Sequence, residues 1–247
     1  MVANPTSYSV YALHVLSTLP LPEVPVINSN GRSPDVQIRA GDVDPVTTES
    51  NDTGRRRVRV TRNNCRMTYE GIGSVRVTNG DTVTYSLSEP SVAETKALRR
   101  VILNHAFAAV LLQRGLLVLH ASAVLIDNQV AVFLGHRTAG KSTTAAAFCK
   151  CGDQVLGDDV IGIRFDMGAP QVVPGVPEIR LAPDAVAELG INDAVEPTGD
   201  RGPERLYCRL SDDRSPAALY RCYRLKNAES VELVSQSRTE SFFTLLK

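Results

Sequence analysis

The sequence predicts an α/β fold: a mixed sheet with helices built around a glycine-rich loop, preceded by a small β-rich unit. Three observations predict it. The run "VAVFLGHRTAGKSTTAAAF" sets an apolar strand, a glycine loop and an alanine-rich helix start in direct succession. Upstream, "RVRVTR", "CRMTYEG" and "GSVRVTNGDTVTYSL" alternate polar with apolar residues, as half-buried strands do. Between these regions, "SEPSVAETKALRRVILNHAFAAVLLQRG" fits a helix. Residues 1–88 are therefore expected to form the β-rich unit, residues 89–247 the loop-bearing domain, and residues 91–114 a linking helix.

Taken in order, residues 1–31 read as short strands joined by proline-rich turns, and Arg32 to Gly54 as an irregular stretch rich in Gly, Pro, Asp, Ser and Thr. The "TNGD" turn between two alternating runs predicts a hairpin. Ser91 is placed to cap the linking helix, with Glu94 three residues on, and Arg114-Gly115 to end it. "LLVLHASAVLI" and "QVAVFLG" read as a strand pair separated by "DN". The helix of Ser142 to Lys150 follows, then "QVLGDDVIGIRF" as one strand.

Composition narrows the function. A chain of 247 residues with 43% apolar residues has room for a sizeable core. Its formal net charge is zero, which supplies no basic excess for a nucleic acid backbone. The basic cluster "GRRRVRVTR", Gly54 to Arg62, reads as a strand with arginines on one face, either solvated or facing an acidic partner. Five cysteines include no C-x-x-C pair and only four histidines accompany them, so a zinc site is not expected and the thiols should stay reduced. The start has no basic n-region, and His105, Gln113 and Arg114 interrupt the most apolar stretch, so neither a signal peptide nor a membrane span is expected. A soluble, cytoplasmic protein is the expectation, with no nucleic acid or membrane partner.

The loop from Gly135 through His136, Arg137, Thr138, Ala139, Gly140 and Lys141 to Ser142 meets the pattern G-x-x-x-x-G-K-[ST]. Backbone N–H groups of such a loop and of the helix it opens, which continues with Thr143, surround nucleotide phosphates. Lys141 would then reach the β- and γ-phosphates of ATP, and Ser142 would offer its hydroxyl to Mg²⁺. The run "VLGDDVIGI" places Asp158 and Asp159 in apolar surroundings, where adjacent charges are costly unless used. One of them is expected to face the metal. Asp158 comes only 16 residues after Ser142, a shorter spacing than in ordinary P-loop ATPases or GTPases. His120 closes the strand before the loop, in reach of the γ-phosphate or in a purely structural role.

In this order — a histidine closing a strand, a hairpin, a P-loop, a helix and an Asp-Asp strand — "LHASAVLIDNQVAVFLGHRTAGKSTTAAAF" with "VLGDDVIGI" resembles the HPr kinase/phosphorylase family and its smaller relatives. The resemblance implies a fold shared with phosphoenolpyruvate carboxykinase. It implies ATP and Mg²⁺ as cofactors, and phosphoryl transfer to a hydroxyl, serine above all, of a peptide, protein or small molecule. Carried over, it makes His120, Lys141 and Asp158 catalytic, with Asp158 the base, His120 tuning it and Asp159 in the metal sphere. "PEIR" matches a family segment that ends in glycine, which is Leu181 here. Glu178 of that segment is a further metal candidate, or else a partner of Arg180, and the reverse phosphorylase reaction is put in doubt. The N-terminal half does not resemble the family's large N-terminal domain, so its hexamer is not carried over and an oligomer is left open. The alternative is a non-catalytic nucleotide-binding regulatory or assembly protein.

Overall fold

The fold is that of a computed structural model, which describes residues 4–47, 56–89, 96–166, 168–191, 196–197 and 206–245. Ser91 and Glu94, the expected cap and its partner, lie outside the described residues.

Seven strands build the first sheet: β1 (Thr6–Val10), β2 (Leu13–Ser17), β3 (Val36–Ala40), β4 (Arg56–Thr61), β5 (Asn64–Tyr69), β6 (Gly73–Thr78) and β7 (Thr82–Leu87). Their order is β1-β2-β3-β7-β6-β5-β4, with β4 at one edge. The turn of "TNGD" joins β6 to β7, and Asn79 and Gly80 take φ of 53° and 68° as a type I′ turn requires. β3 corrects the expectation of an irregular Arg32–Gly54. Its buried Val36 and Ile38 insert between β2 and β7, in parallel with both. Five residues flanked by Pro, Asp and Gly leave too short an alternation to stand out from the sequence.

A helical run covers the inner face of this sheet. It comprises α1 (Lys96–Arg100), a π-helical stretch (Val101–Ala106) and α2 (Phe107–Gln113), with helical dihedrals at both junctions. Leu98, Ile102, Phe107 and Leu111 of the run share a core with Val15, Ile38, Val75, Val77 and Val83 of the sheet.

The second sheet holds β8 (Leu117–Leu119), β9 (Ser122–Ile126), β10 (Gln129–Leu134), β11 (Gln154–Asp158), β12 (Ile161–Asp166), β13 (Ala169–Val173) and β17 (Ala217–Arg224). A small third sheet contains β14 (Glu178–Leu181), β15 (Glu196–Pro197) and β16 (Leu206–Arg209), and the remaining helices are α3 (Lys141–Lys150), α4 (Pro183–Leu189) and α5 (Arg238–Leu245). β10 is buried on both faces. Val130, Val132 and Leu134 enter one core, while Ala131 and Phe133 enter another with Ala145 and Ala146 of α3. That double burial is why its sequence reads as an unbroken apolar run.

Two apolar runs are each broken, the first where the sequence already ends a strand at His120 and the second against the expectation of one strand. "LLVLHASAVLI" divides into β8 and β9 at His120-Ala121, and "QVLGDDVIGIRF" divides into β11 and β12 at Asp159-Val160. The breaks fall opposite each other. Leu119 pairs with Ile161 on one side and Ser122 with Asp158 on the other, so two unpaired residues face two and the register carries across. The chain thus forms one antiparallel ribbon with a shared kink, where Asp159 takes a left-handed φ of 72°. The sheet order β11-β9-β10-β17-β13-β12-β8 puts β8 and β9 toward opposite ends although two residues join them. The sheet therefore curls until its ends meet at the kink.

Tyr11 ties the two sheets together. It lies in the β1–β2 turn at 2% exposure, donates its backbone N–H to Pro174 O at 2.9 Å, and points its hydroxyl at Val160 O, 3.4 Å away beside the kink. Burial raises the Tyr11 phenol pKa well above the usual tyrosine range. Among the described residues, no helix is long and apolar enough to cross a membrane.

Candidate active site

β10 runs into the glycine loop at its end. A Cβ on Gly135 would come within 2.9 Å of Ala139 Cβ and 3.2 Å of Leu225 O, so only glycine lets the loop fold back this closely. Thr138 and Gly140 take left-handed φ of 69° and 91°, and the Ala139 N–H donates back to His136 O at 3.1 Å. Lys141 opens α3 and is 7% exposed. Its ammonium donates to Gly135 O at 3.0 Å and His136 O at 3.2 Å. Burial lowers the Lys141 pKa, and the Asp158 carboxylate opposes the shift.

The kinked ribbon brings the two aspartates to the same place with different surroundings. Asp158 Oδ1 accepts hydrogen bonds from Ser142 Oγ at 2.9 Å and Ser122 Oγ at 2.6 Å, while its Oδ2 accepts from the Arg180 N–H at 3.2 Å. Asp159 pairs through Oδ2 with the Arg180 guanidinium and presents Oδ1 to His120 Nδ1 at 3.6 Å. His120 Nδ1 also lies 2.9 Å from Asp159 O. A carbonyl oxygen only accepts, so Nδ1 carries the proton and Nε2 is the free nitrogen of the neutral ring. The His120 pKa is lowered, first by lost hydration and then by the Lys141 cation, with Arg180 and Arg137 adding to this and Asp158 opposing it.

These groups line one cavity of about 880 Å³. Arg137, Thr138, Gly140, Lys141, Ser142 and Thr143 form one wall, and His120, Asp158 and Asp159 another. Arg100 reaches it from α1, and Asn104 and His105 from the π-helical stretch. Arg180, Asp184 and Glu188 complete it. Gly135, His136 and Ala139 shape the loop from behind and do not line the cavity. Glu178 does not line it either, standing opposite Arg209 on the neighbouring strand.

Sequence reading missed two contributors. Ser122 is fully buried, and a hydroxyl inside the apolar run "HASAVLI" is a signal that a polar partner waits nearby. Arg180, for which the sequence suggests only Glu178 as a partner, also grips Asp159 from a different sheet. Nothing in the linear spacing joins those two. Among the described residues, no three His, Cys, Asp or Glu side chains gather as a metal-binding group, and all five cysteines are free thiols.

No family model and no curated protein matches this chain. Among solved structures it is similar to the Hpr(Ser) kinase/phosphatase from Coxiella burnetii, with 21% identity and a TM-score of 0.31 over 47% of this chain and 69% of that one. The overlap is a loose likeness in fold, and it decides nothing about chemistry.

Proposed function

We propose that this chain is an ATP-dependent phosphotransferase that moves the γ-phosphoryl group to a hydroxyl, serine above all, of a peptide, protein or small molecule. The observation that supports this reading is the bridge from Ser142 through Asp158 to Ser122, set beside Asp159, His120 and Arg180 on the same cavity. A phosphate loop alone would serve binding. A second carboxylate facing the same space supplies a place for an acceptor proton.

The donor set fits ATP and Mg²⁺. Bound together, they supply the transferable phosphoryl group and a cation that neutralises its oxygens. The loop N–H groups, the start of α3 and Lys141 would hold phosphate, while Ser142 and Asp158 would hold Mg²⁺. Among the described residues there is no protein-only cage at the cavity, so phosphate oxygens and water would complete the metal sphere. Asp159 is then the base, accepting the acceptor proton at Oδ1 while Arg180 holds Oδ2. The neutral His120 ring fixes its backbone carbonyl. This order inverts the roles that the resemblance implied, because Asp158, not Asp159, touches the loop serine.

The test is transfer of label from γ-phosphate-labelled ATP to a serine peptide library, run with wild type and Lys141→Ala. Labelled peptide with wild type and its loss in the variant supports the reading. ATP binding by wild type with neither transfer nor hydrolysis would make the chain a non-catalytic nucleotide-binding protein.

A further inference from the structure

The first sheet carries a row of arginines that the proposed chemistry does not use. On its outer face, Arg59 pairs with Arg66, Arg66 with Arg76, Arg76 with Thr84, and Thr84 with Arg39. Neighbouring strands lie about 4.8 Å apart, so four guanidinium groups stand in line across five strands. Like charges directly opposite each other destabilise a sheet. Among the described residues, only Arg66 of the four has a carboxylate beside it, Asp44 at 3.6 Å, and Asp44 is itself 91% exposed.

The chain shows what this face accepts. The segment after β3, "GDVDPVT", runs over the adjoining row of residues. Val46 N–H donates to Thr68 Oγ1 at 2.8 Å, and Ser86 Oγ donates to Val43 O at 3.1 Å. Val43 and Val46 are buried, each 5% exposed, while Asp44 turns to Arg66. An acidic strip of chain thus lies on hydroxyl groups with its carboxylate at the arginine row, and among the described residues Arg39, Arg59 and Arg76 have no such carboxylate.

We propose that this outer face is a docking surface for an acidic, extended polypeptide segment lying along the arginine row beside residues 41–47. The row spans about 19 Å, which an extended peptide covers with about six residues. The zero net charge of the chain argues for a short acidic peptide over nucleic acid, which draws on a broad basic field. The helical run covers the opposite face of the sheet, so docking does not depend on nucleotide or on the phosphotransferase reading.

The test is fluorescence anisotropy of a labelled peptide of about eight glutamates. Wild type should bind it, and binding should weaken as salt rises. Arg59→Gln with Arg76→Gln should weaken it about tenfold or more, while Arg221→Gln, an exposed arginine on the second sheet, should not. Asp44→Asn should tighten it, since it removes the row's own competitor and touches no core residue. Equal binding by the double variant, or equal loss in Arg221→Gln, overturns the proposal. So does unchanged affinity in Asp44→Asn, which decides the matter even if the double variant does not fold. Binding of an oligonucleotide of the same charge without binding of the peptide would make the row a nucleic acid surface instead.

Discussion

Ser142 Oγ and Asp158 Oδ1 stand 2.9 Å apart, joining the first turn of α3 to the end of β11. Asp159, the next residue, has a different neighbourhood, because its left-handed backbone swings it to His120 and Arg180. Two adjacent carboxylates on one cavity thereby have different partners.

Asp158→Asn is expected to raise the Mg²⁺ concentration needed for nucleotide binding, since it takes a charge from the proposed metal side. Asp159→Asn should leave ATP affinity nearly unchanged and lower transfer by about 10²–10⁴, the usual worth of a positioned proton acceptor. Calorimetry with a non-hydrolysable ATP analogue across Mg²⁺ concentrations, alongside transfer rates, separates the two. The opposite pattern would restore Asp158 as the base.

Gly135→Ala should damage the loop more than Gly140→Ala. The first substitution drives a Cβ to 2.9 Å from Ala139, while at Gly140 the nearest such atom, Thr144 Oγ1, is 4.0 Å away and the penalty is backbone strain at φ of 91°. ATP affinity should fall in both, and further in Gly135→Ala. Equal affinity across wild type and both variants would remove the loop from phosphate binding.

His105 makes stability depend on pH. Its Nδ1 shares a 2.8 Å hydrogen bond with the Tyr69 hydroxyl, whose pKa is pushed up to about 12, chiefly by burial. Burial lowers the His105 pKa below its usual 6.5, with Arg56 and Arg180 adding to the effect. As pH falls through the usual value, the unfolded chain takes up a proton before the folded one, so stability is lost on acidification. His120 contributes in the same direction. Urea unfolding at about pH 7.5 and about pH 5.5 should show the loss, and His105→Gln should shrink it. An undiminished loss in the variant would assign it elsewhere.

Arg76→Thr should stabilise the fold by about 0.2–1 kcal/mol, the range for a directly opposed cross-strand pair. It removes repulsion with Arg66 and sets a β-favouring residue beside Thr84. Denaturant midpoints with an unchanged slope would check it. A fall in stability would mean that the Arg76 stem packs more than its charge repels.

Much of this arrangement is legible in the chain, and the rest is hidden for definite reasons. Gly135, Gly140, Lys141 and Ser142 declare the loop because the turn and helix start impose residue types at fixed steps. Asn79-Gly80 declares the β6–β7 turn for the same reason. His120 reads as the end of a strand, but the matching bend at Asp159 leaves no mark, since aspartate does not break a strand as glycine or proline would. Apolar residues continue on both sides, so the run reads as one strand. Arg180 and Ser122 are invisible as partners because tertiary folding alone, across 58 positions of sequence, brings them to one carboxylate.

The shared kink also says how freely the gene can vary here. One residue added between His120 and Ser122 would push Ser122 one place past Asp158 and reverse the inward set of every residue beyond it, since side chains alternate along a strand. Only a matched insertion opposite, between Asp158 and Ile161, would keep the pairing, and it would move His120 away from Asp159. Length changes should therefore be absent from these two short spans while the loops elsewhere drift. A histidine two before a serine, matched to an Asp-Asp at the far strand's bend, is then a sharper marker for finding kindred genes than the glycine loop, whose pattern many unrelated folds carry.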